Sequence, residues 1–298
     1  MPEIVEVKKY CDFIKKYMIN KKINDIIILK GRYKKHKPFE GYYIIKKNLP
    51  IKLLDVKSKG KFIYMTFENN IILFCTLGLS GGWTYKMNNN KYIFANMIEY
   101  LNVEDVNNYH DQSMNHLNIE FCTSKGSLFF FDTLSFGTIK IVDNIDELNK
   151  KLSKIAPDIM DLSTTLELFS SRITRYPNKK IGLVLLDQKV ISGIGNYLRA
   201  EILWLAKISP FRLVKKLSEH DIKNIYKATR LLTWGRYNYN KAIKLKIINK
   251  IMKLPSDYDR DFFIYYEDMD IYGNTVKKQI LYEGSQKRFI YWVPGYQI

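Results

Sequence analysis

The chain has 298 residues, of which 46% are hydrophobic and 14% aromatic, so it can form one large or two ordinary folded domains and is not disordered. It contains 48 Lys and Arg against 30 Asp and Glu. The formal charge of +18 favours a polyanionic partner, because phosphates that bind cations release condensed counterions. A Lys-, Ile- and Asn-rich composition from an AT-rich genome accounts for part of the same excess.

The cysteines and the amino terminus exclude several classes of protein. Cys11, Cys75 and Cys122 stand far apart, and no C-x-x-C pair occurs, which excludes a disulfide framework and a cysteine-based zinc site. The opening residues do not form a signal peptide, and no apolar run approaches the length of a membrane span. We therefore expect an intracellular protein, whether nuclear, cytoplasmic or viral, that is not secreted and has no membrane partner.

The amino-terminal half is predicted as one helix followed by many short strands. Residues 4–18 place apolar side chains on one stripe at helical spacing, so we expect an amphipathic helix there. Beyond residue 21 the pattern changes to short β-rich runs. These runs are 23–30, 51–57, 61–68, 71–77, 117–122, 127–132 and 137–142. Their spacing and polar turns predict a β-sandwich, with the Asn- and Tyr-rich stretch 87–112 as an insertion or long loop.

The remaining chain is predicted as a helical lobe that ends in a β-hairpin. Helical periodicity covers 145–154, 164–172, 179–187, 195–206, 218–234 and 238–252, and strand-like runs follow at 262–266, 280–282 and 289–293. The fold class is therefore α+β. We expect three domains: a β-sandwich domain over 1–145, a helical domain over 146–255 and a hairpin over 256–298.

The amino terminus carries a first candidate for chemistry. Removal of Met1 would free a secondary amine on Pro2, and its attack on a sugar C1′ gives an iminium cation that acts as an electron sink. Glu3 can serve there as a general acid or base, and Glu6 lies one helical turn further on. The alternative interpretation is structural, because acidic residues at a helix N-terminus complement the helix dipole.

A glycine-rich turn between two apolar helices is the most specific motif. Gly193-Ile-Gly195-Asn196 allows close approach to a phosphate and opens a helix whose first N–H groups are free, although an ordinary helix-packing corner has the same pattern. With Tyr-Leu-Arg-Ala-Glu201 after it, the segment resembles the helix–two-turn–helix (H2TH) element of the Fpg/Nei (formamidopyrimidine-DNA glycosylase / endonuclease VIII) superfamily. The similarity is closest to the eukaryotic endonuclease VIII-like branch. The resemblance implies that Asn196 binds a backbone phosphate beside a lesion.

The same family accounts for two motifs near the amino terminus. Its Pro-Glu-x-x-Glu start is similar to the start of this chain, which implies Pro2 as Schiff-base nucleophile, Glu3 as acid/base and Glu6 as a DNA-binding residue. The turn that contains Lys59 and Lys61 resembles the turn that carries the active-site lysine of the family. Lys61 is the expected counterpart and Lys59 is the alternative register; without the resemblance, either would be a solvated turn lysine.

The tail resembles the zinc finger of the bacterial family members but lacks its ligands. The four positions that hold cysteines in those enzymes are Val276, Gln279, Val293 and Tyr296. Metal chelation there is excluded, so side-chain packing must hold the hairpin, as in the zincless-finger branch. Arg288 is similar to the finger arginine that grips phosphates flanking the flipped nucleotide, although a plain surface arginine has the same pattern.

Excision of a base from a duplex requires the nucleotide to leave the stack, and side chains must then fill the void. By resemblance, Leu79 on one loop and Leu134 and Phe136 on another take that role, while all three also fit an ordinary sandwich core. Many family members carry an arginine pair before the phenylalanine, and this chain has Leu134 and Ser135. We therefore predict weaker selectivity for the base opposite the lesion.

Together the motifs predict a bifunctional DNA glycosylase and AP (apurinic or apyrimidinic site) lyase in base excision repair. The resemblance implies oxidised pyrimidines, hydantoins and abasic sites as substrates, with β,δ-elimination after base loss. No metal or other cofactor is expected. The partner is damaged DNA, either duplex or single-stranded, and we expect a monomer. Two alternatives remain: a non-catalytic binder of damaged or abasic DNA on the same scaffold, and an RNA-binding protein, for which no RNP-like aromatic motif is visible.

Overall fold

The computed structural model describes residues 2–95, 113–238, 260–283 and 286–298, and the chain forms two units, Met1–Lys154 and Ile155–Ile298. Helix Ile145–Ser153 belongs to the first unit, not to the helical lobe where the sequence placed it. The Lys59 amine donates a hydrogen bond to the Leu152 carbonyl of that helix at 2.8 Å. The three-domain division at 145 and 255 stays a prediction.

The first unit is a sandwich of two antiparallel five-stranded sheets together with a long helix, α1, over Ile4–Met18. One sheet contains, in spatial order, β1 (Lys22–Ile23), β3 (Ile51–Lys59), β4 (Phe62–Phe67), β5 (Ile72–Thr76) and β10 (Thr138–Val142). The other contains β2 (Asp25–Ile28), β8 (Leu117–Thr123), β9 (Gly126–Asp132), β6 (Gly81–Met87) and β7 (Tyr92–Phe94). Helix α1 and most of the predicted strands are confirmed.

The apolar faces of both sheets and of α1 meet in one core. Helix α1 contributes Tyr10, Ile14 and Met18 to it and packs against β3, β4 and β6. A Cβ atom at Gly82 in β6 would lie 2.2 Å from the Tyr10 hydroxyl, so the helix approaches this strand closely only because residue 82 is glycine. Because α1 is packed in this way, its first turn has a fixed place in the unit.

Hydrophobic periodicity did not predict four elements of this unit. Strand β6 begins with two glycines, which weakens its β-propensity, and β7 is very short. The other two are short helices, α2 (Arg32–Lys35) and α3 (Tyr42–Lys47). The expected loop over 87–112 begins within β6 and includes β7, and its portion 96–112 lies outside the described residues.

The second unit is mainly helical and carries a two-stranded hairpin. In chain order after α4 (Ile145–Ser153), its elements are α5 (Leu166–Ile173), α6 (Ile181–Val184), α7 (Asn196–Leu205), α8 (Glu219–Asn238), β11 (Lys277–Glu283) and β12 (Gln286–Trp292). The predicted helix over 179–187 is reduced to one turn, and the helix expected over 238–252 falls outside the described residues beyond residue 238. The predicted α+β class, with a β-sandwich lobe and a helical H2TH lobe, is confirmed.

The strand expected over 262–266 is wrong. The backbone N–H groups of Phe263, Ile264 and Tyr265 converge on the buried carboxylate of Glu201, at 2.8 to 3.0 Å. Three successive N–H groups aimed at one acceptor bend the chain away from an extended conformation. The apolar side chains still pack inward, Phe263 against Trp204 with ring centroids 4.8 Å apart, which explains the strand-like sequence pattern.

Candidate active site and nucleic-acid interface

The start of α1 holds a buried carboxylate beside the candidate nucleophile. Glu3 precedes the first helical residue and is fully buried, and Pro2 directly before it is half-buried. The Glu6 carboxylate accepts a hydrogen bond from the Glu3 N–H at 2.8 Å, which satisfies one of the free donors at the helix end. Glu6 therefore has a structural role here, and its expected DNA contact stays a prediction.

The tight turn between β3 and β4 separates its two lysines. Gly60 adopts a φ of 56°, a left-handed conformation that favours glycine, and a lysine lies on each side of it. Burial lowers the pKa of Lys61, against the neighbouring carboxylates of Glu3 and Glu6, which raise it. The Lys59 amine instead donates to Leu152 of α4. Of the two candidates, Lys61 is the one on whose pKa the Glu3 carboxylate acts, and the assignment of Lys61 as the active-site lysine stays a prediction.

The three predicted void-filling side chains are exposed, not part of the sandwich core. Leu79 lies between β5 and β6 and is 45% exposed; Leu134 and Phe136, between β9 and β10, are 53% and 59% exposed. The two loops touch, because a Cβ at Gly78 would lie 2.6 Å from the Phe136 carbonyl carbon. We call Leu79, Leu134 and Phe136 the apolar wedge. Adjacent exposed apolar side chains on two loops are typical of a binding surface.

A buried carboxylate ties the two wedge loops together, and sequence reasoning missed it. Asp132 accepts the Ser80 hydroxyl at 2.6 Å and the Gly137 N–H at 2.6 Å, one on each carboxylate oxygen. The Ser80 hydroxyl in turn accepts the Leu134 N–H at 2.8 Å. Each loop is thus hydrogen-bonded to the other, and the wedge is presented as one surface.

The second wedge loop is also held from α2. The Arg32 guanidinium donates to the Gly137 carbonyl at 2.5 Å, and it lies over the Tyr33 ring. The Tyr33 hydroxyl accepts the Ile139 N–H at 2.7 Å. Arg32 and Tyr33 therefore order the residues that follow Phe136.

In the second unit, one side chain shapes the glycine-rich turn before α7. The Gln188 carboxamide accepts the Gly193 N–H at 2.9 Å and donates to the Ile194 carbonyl at 2.7 Å, while Gly193 adopts a φ of 108°. Asn196 is the first residue of α7 and is half-buried, next to the first N–H groups of that helix. Backbone donors and an amide side chain thus occur together, as expected for an anion site.

The four hairpin positions that the resemblance pairs with zinc ligands do not fit a metal. Val276 and Val293 have no ligand atom, and the Gln279 carbonyl oxygen accepts a hydrogen bond from the Trp292 indole at 3.0 Å. The Tyr296 ring stacks on Trp204, with centroids 5.5 Å apart. Within the described ranges no group of three or more His, Cys, Asp or Glu could hold a metal ion.

Packing and amide hydrogen bonds fasten the base of the hairpin instead. Val293 is fully buried, and its N–H donates to the Gln297 carboxamide at 2.7 Å. The same carboxamide donates to the Ile208 carbonyl after α7, at 3.0 Å. Arg288, on β12, is exposed. In the part of the chain that the structure describes, no helix is long and apolar enough to cross a bilayer.

Comparison with known families agrees with these two units. The model of the formamidopyrimidine-DNA glycosylase N-terminal domain matches residues 1–139, and the model of the formamidopyrimidine-DNA glycosylase H2TH domain matches residues 155–234. The two models together match most of the chain. The chain therefore belongs to the formamidopyrimidine-DNA glycosylase family.

Curated relatives and solved structures are similar to the chain over most of its length. The formamidopyrimidine-DNA glycosylase of Ureaplasma parvum is 29% identical over 245 residues, 82% of this chain and 81% of the relative, and that of Mycoplasma genitalium is 27% identical over 250 residues, 83% and 76%. The Lactococcus lactis enzyme bound to DNA with an AP site has the same fold, with a TM-score of 0.75 at 19% identity over 99% of both chains. These proteins are bacterial, so the endonuclease VIII-like branch stays a prediction.

Proposed function

We propose that this chain is a bifunctional DNA glycosylase and AP lyase that excises oxidised bases in base excision repair. The observation that carries the proposal is the fully buried Glu3 carboxylate, which directly follows Pro2 and lies near the Lys61 amine. A buried carboxylate next to a titratable amine is the arrangement that acid/base chemistry requires. The names of the relatives, all DNA glycosylases, support the same activity.

The proposed reaction proceeds through a covalent iminium. After removal of Met1, the Pro2 nitrogen attacks C1′ of the damaged nucleotide, the C1′–N bond breaks, and the base leaves with its bonding electrons and takes up a proton. The Pro2 nitrogen loses its proton and forms an iminium with C1′ as the C1′–O4′ bond breaks and O4′ takes up a proton to become a hydroxyl. Loss of a C2′ proton expels the 3′ phosphate, a second elimination expels the 5′ phosphate, and water releases the enzyme. Glu3 transfers protons at the sugar ring.

The substrate is damaged DNA, and each unit supplies part of the contact. The apolar wedge fills the space that the flipped nucleotide leaves, and Asn196 and Arg288 bind backbone phosphates. Solved structures of the Lactococcus lactis enzyme with AP-site DNA and with FAPY-dG DNA support this class of ligand. The RNA-binding alternative lacks comparable support.

The hairpin supports assignment to the zincless endonuclease VIII-like branch. The four positions paired with zinc ligands do not form a set that could bind a metal. The buried residues Val293 and Gln297 lie at the base of the hairpin. That branch implies oxidised pyrimidines and hydantoins as preferred lesions, whereas the relatives are named for formamidopyrimidine. Excision rates on duplexes with thymine glycol, hydantoin or formamidopyrimidine test the assignment; a strict preference for formamidopyrimidine would contradict it.

Borohydride trapping tests the proposed activity. The wild-type protein, shown by mass to lack Met1, is incubated with an oligonucleotide that carries one abasic site, beside Pro2→Gly and Lys59→Ala. We expect a covalent adduct with wild type and Lys59→Ala, and at least a tenfold loss with Pro2→Gly. Binding of the abasic site without an adduct would instead identify a non-catalytic binder on the same scaffold. An adduct that Pro2→Gly does not reduce would show that the secondary amine of Pro2 is not required, because the new terminal amine or Lys61 can then form the adduct.

A further inference from the structure

Arg199 is a fully buried arginine one helical turn after Asn196, in the first turn of α7. Arginine is rarely buried completely unless its guanidinium is hydrogen-bonded, because removal of the charge from water is costly. The apolar pattern around it would accept a leucine or methionine at this position without that cost. Packing of the core alone therefore does not explain an arginine at this position.

The guanidinium donates to oxygens on three separate segments. Nη1 donates to the Gly182 carbonyl of α6 at 3.0 Å. Nη2 donates to the Phe289 carbonyl of β12 at 2.5 Å and to the Asn196 side-chain oxygen at 3.3 Å. One side chain thus joins α6, the start of α7 and the hairpin.

The hydrogen bond from Arg199 to Asn196 determines which end of the Asn196 carboxamide faces a ligand. A carboxamide has an acceptor oxygen and a donor amino group at opposite ends, whereas a guanidinium can only donate. With Oδ1 held by Arg199, the amino group is directed away from Arg199. A flipped amide would bring two donors together. Phosphate oxygens accept hydrogen bonds, so the orientation that Arg199 selects is the one that can bind a phosphate.

The bond to Phe289 acts on the other expected phosphate ligand. Phe289 directly follows Arg288, so the Phe289 carbonyl is part of the backbone that carries Arg288. The hairpin is close to α6 at this point, because a Cβ at Gly182 would lie 3.0 Å from Leu281 Cδ1 in β11, and Leu281 pairs with Arg288 of β12. The same guanidinium thus holds the backbone beside Arg288 and the side chain of Asn196.

We propose that Arg199 is a positioning residue for DNA-backbone binding: it fixes the carboxamide of Asn196 with its donor end outward and holds β12 beside it. This inference rests on the proposed function, since it takes Asn196 and Arg288 as phosphate ligands. It assigns no DNA contact to Arg199 itself. Its effect on DNA binding therefore passes through Asn196 and β12.

A double-mutant cycle tests the route through Asn196. Dissociation constants for a duplex with a tetrahydrofuran abasic site are measured at one fixed salt concentration for wild type, Arg199→Lys, Asn196→Ala and the double variant. Lysine keeps the charge and the aliphatic stem, but one ammonium cannot reach oxygens on three segments. We expect each single substitution to weaken binding about tenfold, and the double variant to bind no more than about threefold worse than Asn196→Ala. Fully additive losses, about a hundredfold in the double variant, would overturn the proposal.

Trp204→Phe is the matched control for a loss of stability. Trp204 is also fully buried in α7, and its indole donates to Asp270 at 3.1 Å, away from Asn196 and Phe289. We expect it to lower Tm while the dissociation constant stays within twofold of wild type. If Trp204→Phe weakens DNA binding as much as Arg199→Lys at an equal loss of Tm, Arg199 has only a structural role and the proposal is wrong.

The wild-type protein separates this inference from the proposed function. If wild type binds the abasic duplex no better than an undamaged duplex, the proposed function fails at that point. If wild type discriminates between the two and the cycle is additive, the proposed function stands and only the role of Arg199 is refuted. A side-chain amide resonance of Asn196 that loses its distinct shift in Arg199→Lys gives a second readout, independent of DNA.

Discussion

The wedge loops of the first unit and the glycine-rich turn of the second are braced by buried charges of opposite sign. Asp132 can only accept, and it collects an N–H and an O–H from two loops between strands. Arg199 can only donate, and it collects carbonyl oxygens at the end of a short helix and on a hairpin. The charge of each buried side chain matches the backbone groups that it binds. Loops with N–H groups that lack a partner are held by a carboxylate, and segments with carbonyl groups that lack a partner are held by a guanidinium.

Glu201 extends the comparison, because it is an anionic brace inside the unit that Arg199 also holds. Its carboxylate takes three backbone N–H groups, and burial raises its pKa, against the charge of Arg236, which lowers it. We expect Glu201→Gln to cost about 3 kcal/mol, because glutamine has one acceptor oxygen, leaves a buried N–H without its acceptor and removes the negative charge near Arg236. Urea unfolding of wild type and variant measures the difference.

Glu219→Gln is the control for Glu201→Gln, because it also removes one negative charge from the second unit. Glu219 is exposed in the first turn of α8, so we expect a change below about 0.5 kcal/mol. Equal losses for the two variants would mean that the three N–H bonds to Glu201 contribute nothing specific.

The brace of the first unit is expected to be weaker, because it satisfies fewer donors. Asp132→Asn keeps one acceptor, which can face the Gly137 N–H, and turns its amino group toward the Ser80 hydroxyl. We expect a loss of about 2 kcal/mol in the free energy of unfolding and slower excision, since the wedge loops lose their common anchor. Denaturant melts and single-turnover excision measure the two effects. An unchanged excision rate at reduced stability would show that the loops need no brace.

Ser80→Ala removes only the hydroxyl between Asp132 and the Leu134 N–H. The expected loss is about 1 kcal/mol, smaller than that of Asp132→Asn, because Ser80→Ala keeps the Asp132 carboxylate and places no amino group against a hydroxyl donor. Ser127→Ala, in β9 of the same sheet, is the matched control. A double variant of Ser80 and Asp132 that loses no more than Asp132→Asn alone would place both side chains in one network, and strict additivity would contradict that network.

The spacing of apolar residues predicted the parts of the fold whose backbone hydrogen bonds lie within one helix or between regular strands. Helix α1 and strands β3, β4 and β5 follow from apolar spacing alone, because one face of each is buried. Residues 262–266 have an equally apolar pattern, but their N–H groups bind Glu201, far away in the chain. No window along the sequence contains that partner.

The candidate site residues that belong to a family motif were predicted from the sequence. The buried charged residues that hold them in place were not. Pro2, Glu3, Lys61 and Asn196 come from motifs, and the Glu3 carboxylate acts on the pKa of Lys61. Asp132 and Arg199 went unrecognised, although each is a charge inside an apolar run. Such a charge is a usable signal of a buried polar network, but the sequence does not say which groups it binds.

Lys61 is expected to have a small effect on the free energy of unfolding, and the size of that effect depends on pH. Burial lowers its pKa below 10.5, so between the two pKa values the unfolded chain binds more protons and stability rises with pH. The cost of keeping the amine charged is present in full at neutral pH and is gone above 10.5. We expect Lys61→Met to be more stable than wild type at pH 7 by less than about 1 kcal/mol, with the advantage disappearing as the pH approaches 10.5.

Tm measured from pH 7 to 10.5 checks this prediction, with Lys59→Met as the control. Lys59→Met loses the bond to the Leu152 carbonyl and is expected to be less stable than wild type at every pH. A Lys61→Met variant that is less stable at pH 7 would mean that the Glu3 and Glu6 carboxylates outweigh burial at this position.

Leu79→Ala is expected to change stability least while it affects DNA most directly. The side chain is 45% exposed, so its truncation leaves no cavity and should alter the free energy of unfolding by less than about 0.5 kcal/mol. If the wedge fills the void in the duplex, excision from duplex DNA slows about tenfold, whereas excision from a single strand, which has no void, is unchanged. Leu54→Ala, 46% exposed on β3, is the matched control and should alter neither rate. Equal slowing on both DNA forms would remove Leu79 from the void-filling role, because the same exposed leucine would then act on the nucleotide and not on the gap.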